Sequence, residues 1–466
     1  MQACSSPAAP TPQPTAAATT KPAPAPAQTS AAQPAPAATP APTQAPAKVA
    51  QPYAGTLLKL AQVPHPYAEG LTAGLPDFKK KTGIDVQIDT MAFPVLNQRA
   101  DLELSSGSGA YDVMQMIFIR AGRWIGAGWV EPLTPYIEDA TLTDKKELAL
   151  DDFLPGALVS FQSGGNLFAL PWLADSIMTG YRKDIFAKGG YDTFPDTFDK
   201  MYEAFAKIHT SATAATVQME PLHFSWPVWL QAYGGNFFAD PPNDLTPTFN
   251  TPEAIKSAEL FITALTKYSP PGAVNPDASI GITMMRQGKA ASLIHGFSNV
   301  GQTLDATKTE FAAQLEVGPV PAGPKGAFPQ LAVHGYLINK ASKNKKAAWE
   351  FVKWATSKEM MLSNALDRGH IATTRSSVLA NADVRKKFRY GNSDIPALHE
   401  AVLKRAGTGY MAYRTVPFFP PIGDRVVQAL TGIASGQKKL EEEMKALQKD
   451  AETILEKEGV KIRKTN

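Results

Sequence analysis

Residues 56–93, "TLLKLAQVPHPYAEGLTAGLPDFKKKTGIDVQIDTMAF", change their hydrophobic period twice. "TLLKLAQVP" is a short apolar run closed by a proline and reads as a strand. "YAEGLTAGLPDFKKKTG" carries helical spacing and ends in lysines and a glycine, the usual signals of a helix C-terminus. "IDVQIDTMAF" then alternates apolar and polar residues as a half-buried strand does. The same order repeats: "VLNQRADLELSSGSG" reads as a helix running into a Gly-rich loop, and "YDVMQMIFI" as a strand covered on both faces. Strands alternating with helices predict an α/β fold with a largely parallel sheet.

The rest of the chain keeps to that pattern. "GNLFALPWLADSIMTGYRKDIFAKGGY" holds a turn, two strand-like runs and a helix start. "TFDKMYEAFAKIHT" sets Phe198, Met201, Tyr202, Phe205 and Ile208 on one helical stripe, a core-facing side. "KKLEEEMKALQKDAETILEKEG" repeats Leu440, Met444, Leu447, Ala451 and Ile454 and predicts a surface helix docked by one face. A chain of 466 residues that is 44% hydrophobic exceeds the size at which a single core stops growing, so two lobes are expected. The formal charge is +3, from 46 basic and 43 acidic residues without a long basic run, and points away from nucleic acid as a partner.

Cys4 is the only cysteine, which rules out an intramolecular disulfide and a Cys-rich zinc site. It precedes a Pro/Ala/Thr-rich segment without acidic or aromatic residues, a composition that lacks the apolar area needed to offset chain entropy. Residues 1–52 are therefore expected to be an extended, disordered tether. The small residue ahead of Cys4 and the tether behind it resemble a bacterial lipoprotein, whose cysteine is lipidated after signal-peptide cleavage. The apolar signal segment of that class is missing here, and Met1 stands where a leucine is usual. No later stretch reaches the roughly 18 to 20 consecutive apolar residues of a membrane span.

Five blocks carry a family resemblance. "YDVMQMIFIRAGRWIGAGWVEPLTPYI" joins a strand and Asp-Val to a helix and a Pro-Leu turn, and "GYRKDIFAKGGYDTFPDTFDKMYEAFAKI" has Tyr-x-Lys-Asp-x-Phe followed by Gly, Pro and a Thr-Phe helix start. "MMRQGKAASLIHGFSN", "AVHGYLINKASKNKKAAWEFVKWATS" and "VVQALTGIASGQKKLEEEMKAL" complete the series. In this order, over residues 56 to 460, they resemble the extracellular solute-binding proteins of ABC importers, the family that includes maltose-binding protein. The resemblance implies a two-lobe periplasmic-binding-protein fold that closes around its ligand by a hinge motion. It implies an N-terminal lobe of residues 56–169 and 327–373 and a C-terminal lobe of 170–326 and 374–466, with crossings near Leu170 to Trp172, Phe328 and Thr373. The implied partners are a small-molecule solute of the carbohydrate class, ABC permease subunits, and the membrane through a lipid anchor on Cys4, at the periplasmic or extracellular face. A monomer without a cofactor is expected.

Ligands of such sheets bind at strand carboxyl ends. Those ends supply His65 and Tyr67, then Phe93, then Phe118 and Arg120. The crossover supplies Trp172 and Asp175, "HFSWPVWL" supplies Trp226 and Trp229, and "ASLIHGFSN" supplies His295 and Phe297. "LAVHGYLI" adds His334 and Tyr336, and "VPFFPPIGD" adds Phe418 and Phe419 where the family often sets an aromatic over its ligand. Ring faces pack on the C–H face of a sugar, while Asp175 and Arg120 would bond its hydroxyls. The competing reading is packing, which is expected for Trp124, Trp129, Trp349 and Trp354 on helices.

Many sugar-binding members carry a tryptophan after the strand matching "AASLI", where this chain has His295-Gly296-Phe297. That departure opens a second reading, an acidic solute or a metal chelate, because imidazoles and an arginine suit a carboxylate or phosphate. A bound metal ion is not expected, since the histidines lack HxH or HxxxH spacing. An enzyme using Asp175 and a histidine as acid and base is a further alternative. The sequence holds no Gly-x-Ser-x-Gly, P-loop, His-Glu-x-x-His or dinucleotide fingerprint to favour it.

Overall fold

Strand β1 (Leu57–Gln62) lies between β2 (Asp85–Thr90) and β3 (Val113–Ile117) and is parallel to both. The computed structural model from which this arrangement is taken describes residues 51–218, 222–272, 274 and 278–463. Cys4 and the Pro/Ala-rich segment lie outside the described residues, and Ala50–Asn466 is the unit treated below.

Helix α1 (Pro66–Thr82) connects β1 to β2; it starts at His65, whose side chain caps it, and stops at Gly83, where φ is 79°. Only glycine adopts that left-handed turn without a Cβ clash, which is why the lysine-rich end terminates there. Helix α2 (Phe93–Ser106) likewise joins β2 to β3, and α3 (Phe118–Gly126) leaves β3 directly. Every residue of "VMQM" in β3 is buried, as an interior strand covered on both faces requires.

Strand β4 (Ala169–Arg182) joins the two halves of the sheet. Its second half, Ile177–Arg182, is flanked by β5 (Ser292–Gly296) and β6 (Leu315–Gly318), both antiparallel to it. Its first half pairs antiparallel with β7 (Leu331–Ile338), and β7 pairs with β3. The strand order β6-β4-β7-β3-β1-β2, with β5 beside β4, makes one seven-stranded sheet serving two α/β lobes. Both lobes therefore hang on β4, and the junction falls where β4 exchanges β7 for β5 and β6.

In the second lobe α4 (Phe198–Ile208) starts at its Thr197 cap and buries Phe198, Met201, Ala204, Phe205 and Ile208. The expected stripe is observed, with half-buried Tyr202 at its edge. It is joined there by α5 (Pro252–Thr266), and β5 runs into the short α6 (Phe297–Thr303). Helix α7 (Lys345–Ala355) covers β7. Arg375 then bonds to Leu148 O and Thr356 O at 2.9 Å and to Asp152 at 3.3 Å. Helix α8 (Ile395–Ala406) packs on Pro155–Leu158, whereas Ser393 accepts from Val317 N of β6 at 2.9 Å. The stretch expected to open the last segment of the second lobe thus bridges both half-sheets.

Helices α9 (Phe419–Ala434) and α10 (Leu440–Lys457) pack on each other and on α5. Along α10 the buried set is Glu443, Met444, Leu447, Gln448, Ala451 and Leu455, while the expected Leu440 and Ile454 pack half-buried against the core. The polar members are tolerated because they are paired. Glu443 meets Arg425 at 2.7 Å, and Gln448 accepts from Phe249 N at 2.8 Å.

Candidate functional site

At the carboxyl end of β1 the last residue, Gln62, is buried, and its Oε1 accepts the hydroxyl of Tyr336 at 2.6 Å. Tyr336 in turn lies flat against Trp172, with ring centroids 5.4 Å apart and planes 14° from parallel. Trp172 owes its placement to an irregularity. Strand β7 pairs His334 with Leu173 but Gly335 with Pro171, so the register slips and Trp172 has no facing residue. Such bulges re-aim a side chain. Tyr67 at 4.8 Å, His65 at 5.6 Å and His334 at 6.0 Å complete the ring around Trp172. His370, from the segment after helix Lys358–Arg368, meets His65 at 4.5 Å, and Phe93 meets His334 at 6.2 Å.

The hydrogen bonds fix the tautomers. Val63 N donates to Gln115 Oε1 at 3.0 Å, so Gln115 Nε2 donates to His334 Nδ1 at 2.5 Å and the His334 proton sits on Nε2. His65 Nδ1 accepts from Tyr67 N at 3.1 Å, which likewise puts its proton on Nε2. Burial pushes His65 down to about 4, and it pushes His334 down to about 3 with His65 adding to the effect. His370 is held well below its ordinary value by burial, then by His65 and His399. The imidazoles are therefore neutral near pH 7.

Three buried polar atoms of this cluster have no hydrogen-bond partner: Gln62 Nε2, Trp172 Nε1 and His370 Nε2. A buried donor without an acceptor costs about 1 to 3 kcal/mol. A cluster of such atoms beside stacked aromatic rings can hydrogen-bond a molecule that brings polar groups of its own.

The second wall is built on β4, β5 and α6. Asp175 accepts from Ser298 N at 2.8 Å and from Ser298 Oγ at 2.5 Å, holding the start of α6. Burial raises its carboxyl above the usual value, against the lowering effect of those Ser298 bonds. Gly296 follows from this contact, since a Cβ there would run into Asp175 Oδ2. His295 is buried, bonded to Asn299 at 3.1 Å and set edge-on to Phe224 at 5.7 Å. The His-Gly-aromatic pattern recurs in β7 for a related reason: a Cβ on Gly335 would lie 2.8 Å from both Ala169 and Phe161.

Of the residues predicted from sequence, His65, Tyr67, Phe93, Trp172, His334 and Tyr336 come together around one cluster. Phe118 follows Ile117, the β3 residue facing His334, while Asp175, His295 and Phe297 lie at the start of α6. Three aromatic residues go elsewhere. Trp226 and Trp229 are fully buried in the second lobe, their indole N–H groups donating to Ser257 Oγ at 3.2 Å and Tyr202 Oη at 3.1 Å. They pack against Phe237 and Phe249, and against Phe198 and Phe261, so they are core residues. Phe419 is also sealed, against Phe237, Tyr413 and His223. Arg120 lies 3.4 Å from Asp101, and its buried Nε has no hydrogen-bond partner. Gln62, Gln115 and His370 were not anticipated, although Gln62 is the terminal residue of a predicted strand.

Two α/β lobes sharing one long strand, with unpaired donors and aromatic faces at their junction, define a solute-binding protein of the two-lobe class. The profile described as bacterial extracellular solute-binding protein matches residues 64–362, more than half of the chain, and the chain belongs to that family. An erythritol/L-threitol-binding protein of Mycolicibacterium smegmatis is 25% identical over 333 residues, 66% of this chain and 68% of its own. A mannitol-binding protein of Pseudomonas aeruginosa is 24% identical over 391 residues, 78% of this chain and 85% of its own. Among solved structures, an ABC transporter solute-binding protein of Agrobacterium vitis S4 with bound D-mannitol superposes with a TM-score of 0.73 at 25% identity, covering 87% of this chain and 99% of that one. A solute-binding protein of Agrobacterium radiobacter K84 in complex with ribitol shares the fold, with a TM-score of 0.76 at 24% identity over 86% of this chain and 99% of that one. Among the described residues no helix is long and apolar enough to cross a membrane, and no group of three or more His, Cys, Asp or Glu is placed to hold a metal ion.

Proposed function

We propose that this chain captures a small polyol or sugar between its lobes and delivers it to the permease of an ABC importer, without doing chemistry on it. The carrying observation is the trio of buried polar atoms without partners, Gln62 Nε2, Trp172 Nε1 and His370 Nε2, set beside the Trp172–Tyr336 stack. A polyol offers one oxygen per carbon and an apolar C–H edge, which matches donors lining a flat aromatic face. The relatives named for erythritol, threitol and mannitol, and the fold neighbours holding ribitol and D-mannitol, support the same solute class. Neutral histidines suit a binding role, because they serve as fixed N–H donors.

In this reading residues 56–169 and 327–373 form one jaw and 170–326 with 374–466 the other, turning about β4. The Pro/Ala-rich tether and a lipid on Cys4 hold a monomer at the outer face of the membrane. Isothermal titration with ribitol, D-mannitol, erythritol, glucose and maltose tests it, together with native mass spectrometry of freshly purified protein. Heat with one or more of these, or a retained mass matching a polyol or sugar, is expected. No heat and no retained carbohydrate would overturn the proposal, as would turnover of the solute.

A further inference from the structure

Arg182, Arg375 and Arg414 are the arginines buried to more than nine-tenths among the described residues. Two of them have a carboxylate: Arg182 pairs with Asp184 at 2.7 Å and Arg375 with Asp152 at 3.3 Å. Arg414, only 1% exposed, bonds instead to neutral groups. Its Nε donates to Tyr413 Oη at 2.8 Å, and its Nη2 donates to His223 O at 3.1 Å and Phe224 O at 3.2 Å. Nη1 takes no part in these bonds. Rings surround the guanidinium, with Phe224 at 5.0 Å, Phe118 at 5.6 Å and Phe419 at 6.0 Å. Beside it His223 Nδ1 is a buried polar atom without a partner.

Arg414 adjoins the second wall of the candidate site through Phe224. Phe118 continues β3 beyond Ile117, the residue that faces His334, and Phe224 touches His295 across the second wall. A buried cation satisfied only by dipoles and ring faces retains an uncompensated charge, which is costly unless a counter-charge arrives. A carboxylate is the natural counter-charge, since it accepts the remaining N–H in guanidinium geometry while its second oxygen remains for a neighbouring donor.

Resting on the proposed capture of polyols, we infer that the solute is a polyol carrying a carboxylate at one end, an aldonic acid, with Arg414 Nη1 and His223 Nδ1 receiving that end. The hydroxylated remainder then runs toward Gln62, Trp172 and His370. Arg120, the cation to which the sequence pointed, has the Asp101 carboxylate 3.4 Å away, whereas Arg414 bonds only to neutral groups.

Isothermal titration of the full chain with two matched pairs tests this: ribitol against ribonate, and D-mannitol against D-mannonate. At least one acid is expected to bind about tenfold or more tightly than its polyol, as a charge-assisted bond lost from a buried site implies. Arg414→Gln should bring that ratio to within about threefold, and Arg414→Lys should restore part of it. Should Arg414→Gln fail to fold, the wild-type ratio still decides, and His223→Phe supplies a second variant in which the ratio must narrow. Polyols binding as tightly as their acids would overturn the aldonate assignment while leaving polyol capture standing. Absence of binding by all four would overturn both.

Discussion

Tyr336 donates its hydroxyl to Gln62 Oε1 at 2.6 Å, across 274 positions of sequence, and both side chains are buried. The bond orients the Gln62 amide, so that Nε2 is the atom left over for a solute. Tyr336→Phe keeps the ring on Trp172 and removes only that orientation. The variant should bind solute about five- to tenfold more weakly, corresponding to about 1 kcal/mol for one hydrogen bond, and lose a comparable stability from the unsatisfied Gln62 Oε1. Titration calorimetry and thermal melting of the ligand-free protein check the two halves. Unchanged affinity would remove Gln62 from the site.

Trp172→Phe separates the indole donor from the aromatic face. The face that stacks on Tyr336 survives in part, whereas the unpartnered Nε1–H disappears. Because that donor is unsatisfied without solute, its loss should fall mainly on the bound state. The solute-induced rise in melting temperature should shrink, with affinity down about tenfold. A variant that binds as tightly as wild type would mean that Nε1 faces no solute oxygen.

Five histidines bind protons more weakly in the folded chain than an ordinary imidazole near 6.5: His65 and His399 at about 4, His223 and His334 at about 3, and His370 well below 6.5, each lowered first by burial. Below pH 6.5 the unfolded chain takes up protons that the native chain refuses, so stability is lost as pH falls from 6.5 toward those values. Each such group contributes a slope of up to about 1.4 kcal/mol per pH unit in that window. Asp175 and Asp424, raised by burial, work in the opposite direction as two groups against five. Melting temperature should be flat from pH 8 to 7 and fall steeply between 6.5 and 4, measured by calorimetry without solute. A constant melting temperature down to pH 5 would contradict neutral, buried histidines.

Trp229 tests the division between core and site. Packed on Phe198 and Phe261 with its N–H bonded to Tyr202, it should cost about 3 to 5 kcal/mol when truncated to alanine. The milder Trp229→Phe should lower the melting temperature while leaving solute affinity within about twofold, since no site residue touches the ring. A large affinity loss in that variant would return Trp229 to the site.

Periodicity made the fold legible because each β-α-β step writes its own signal within about 30 residues. The candidate site was legible only where unusual residue types stand at strand ends, as with His65, Trp172 and His334. Gln62 escaped because its role depends on Tyr336, far away in sequence, and a glutamine ending a strand has no local signature. Arg414 escaped because what distinguishes it is the lack of a carboxylate, a property of three-dimensional surroundings. Trp226 and Trp229 misled for the converse reason. "HFSWPVWL" folds into short helices that turn both rings inward, and composition does not separate an aromatic in a cleft from one in a core.

Gly296 offers the sharpest test of the opening His-Gly-aromatic pattern. Its Cα approaches Asp175 so closely that a methyl group would meet the carboxylate that holds Ser298 N and Oγ. Gly296→Ala should therefore push the carboxylate off α6 and cost about 1 to 3 kcal/mol through overpacking. In an Asp175→Ala background the obstruction is gone, and the same substitution should cost less by about 1 kcal/mol or more, a coupling that only contact between the two positions produces. Chemical denaturation of the four proteins of this double-mutant cycle measures it. Additive costs would show that Gly296 is required for some reason other than Asp175.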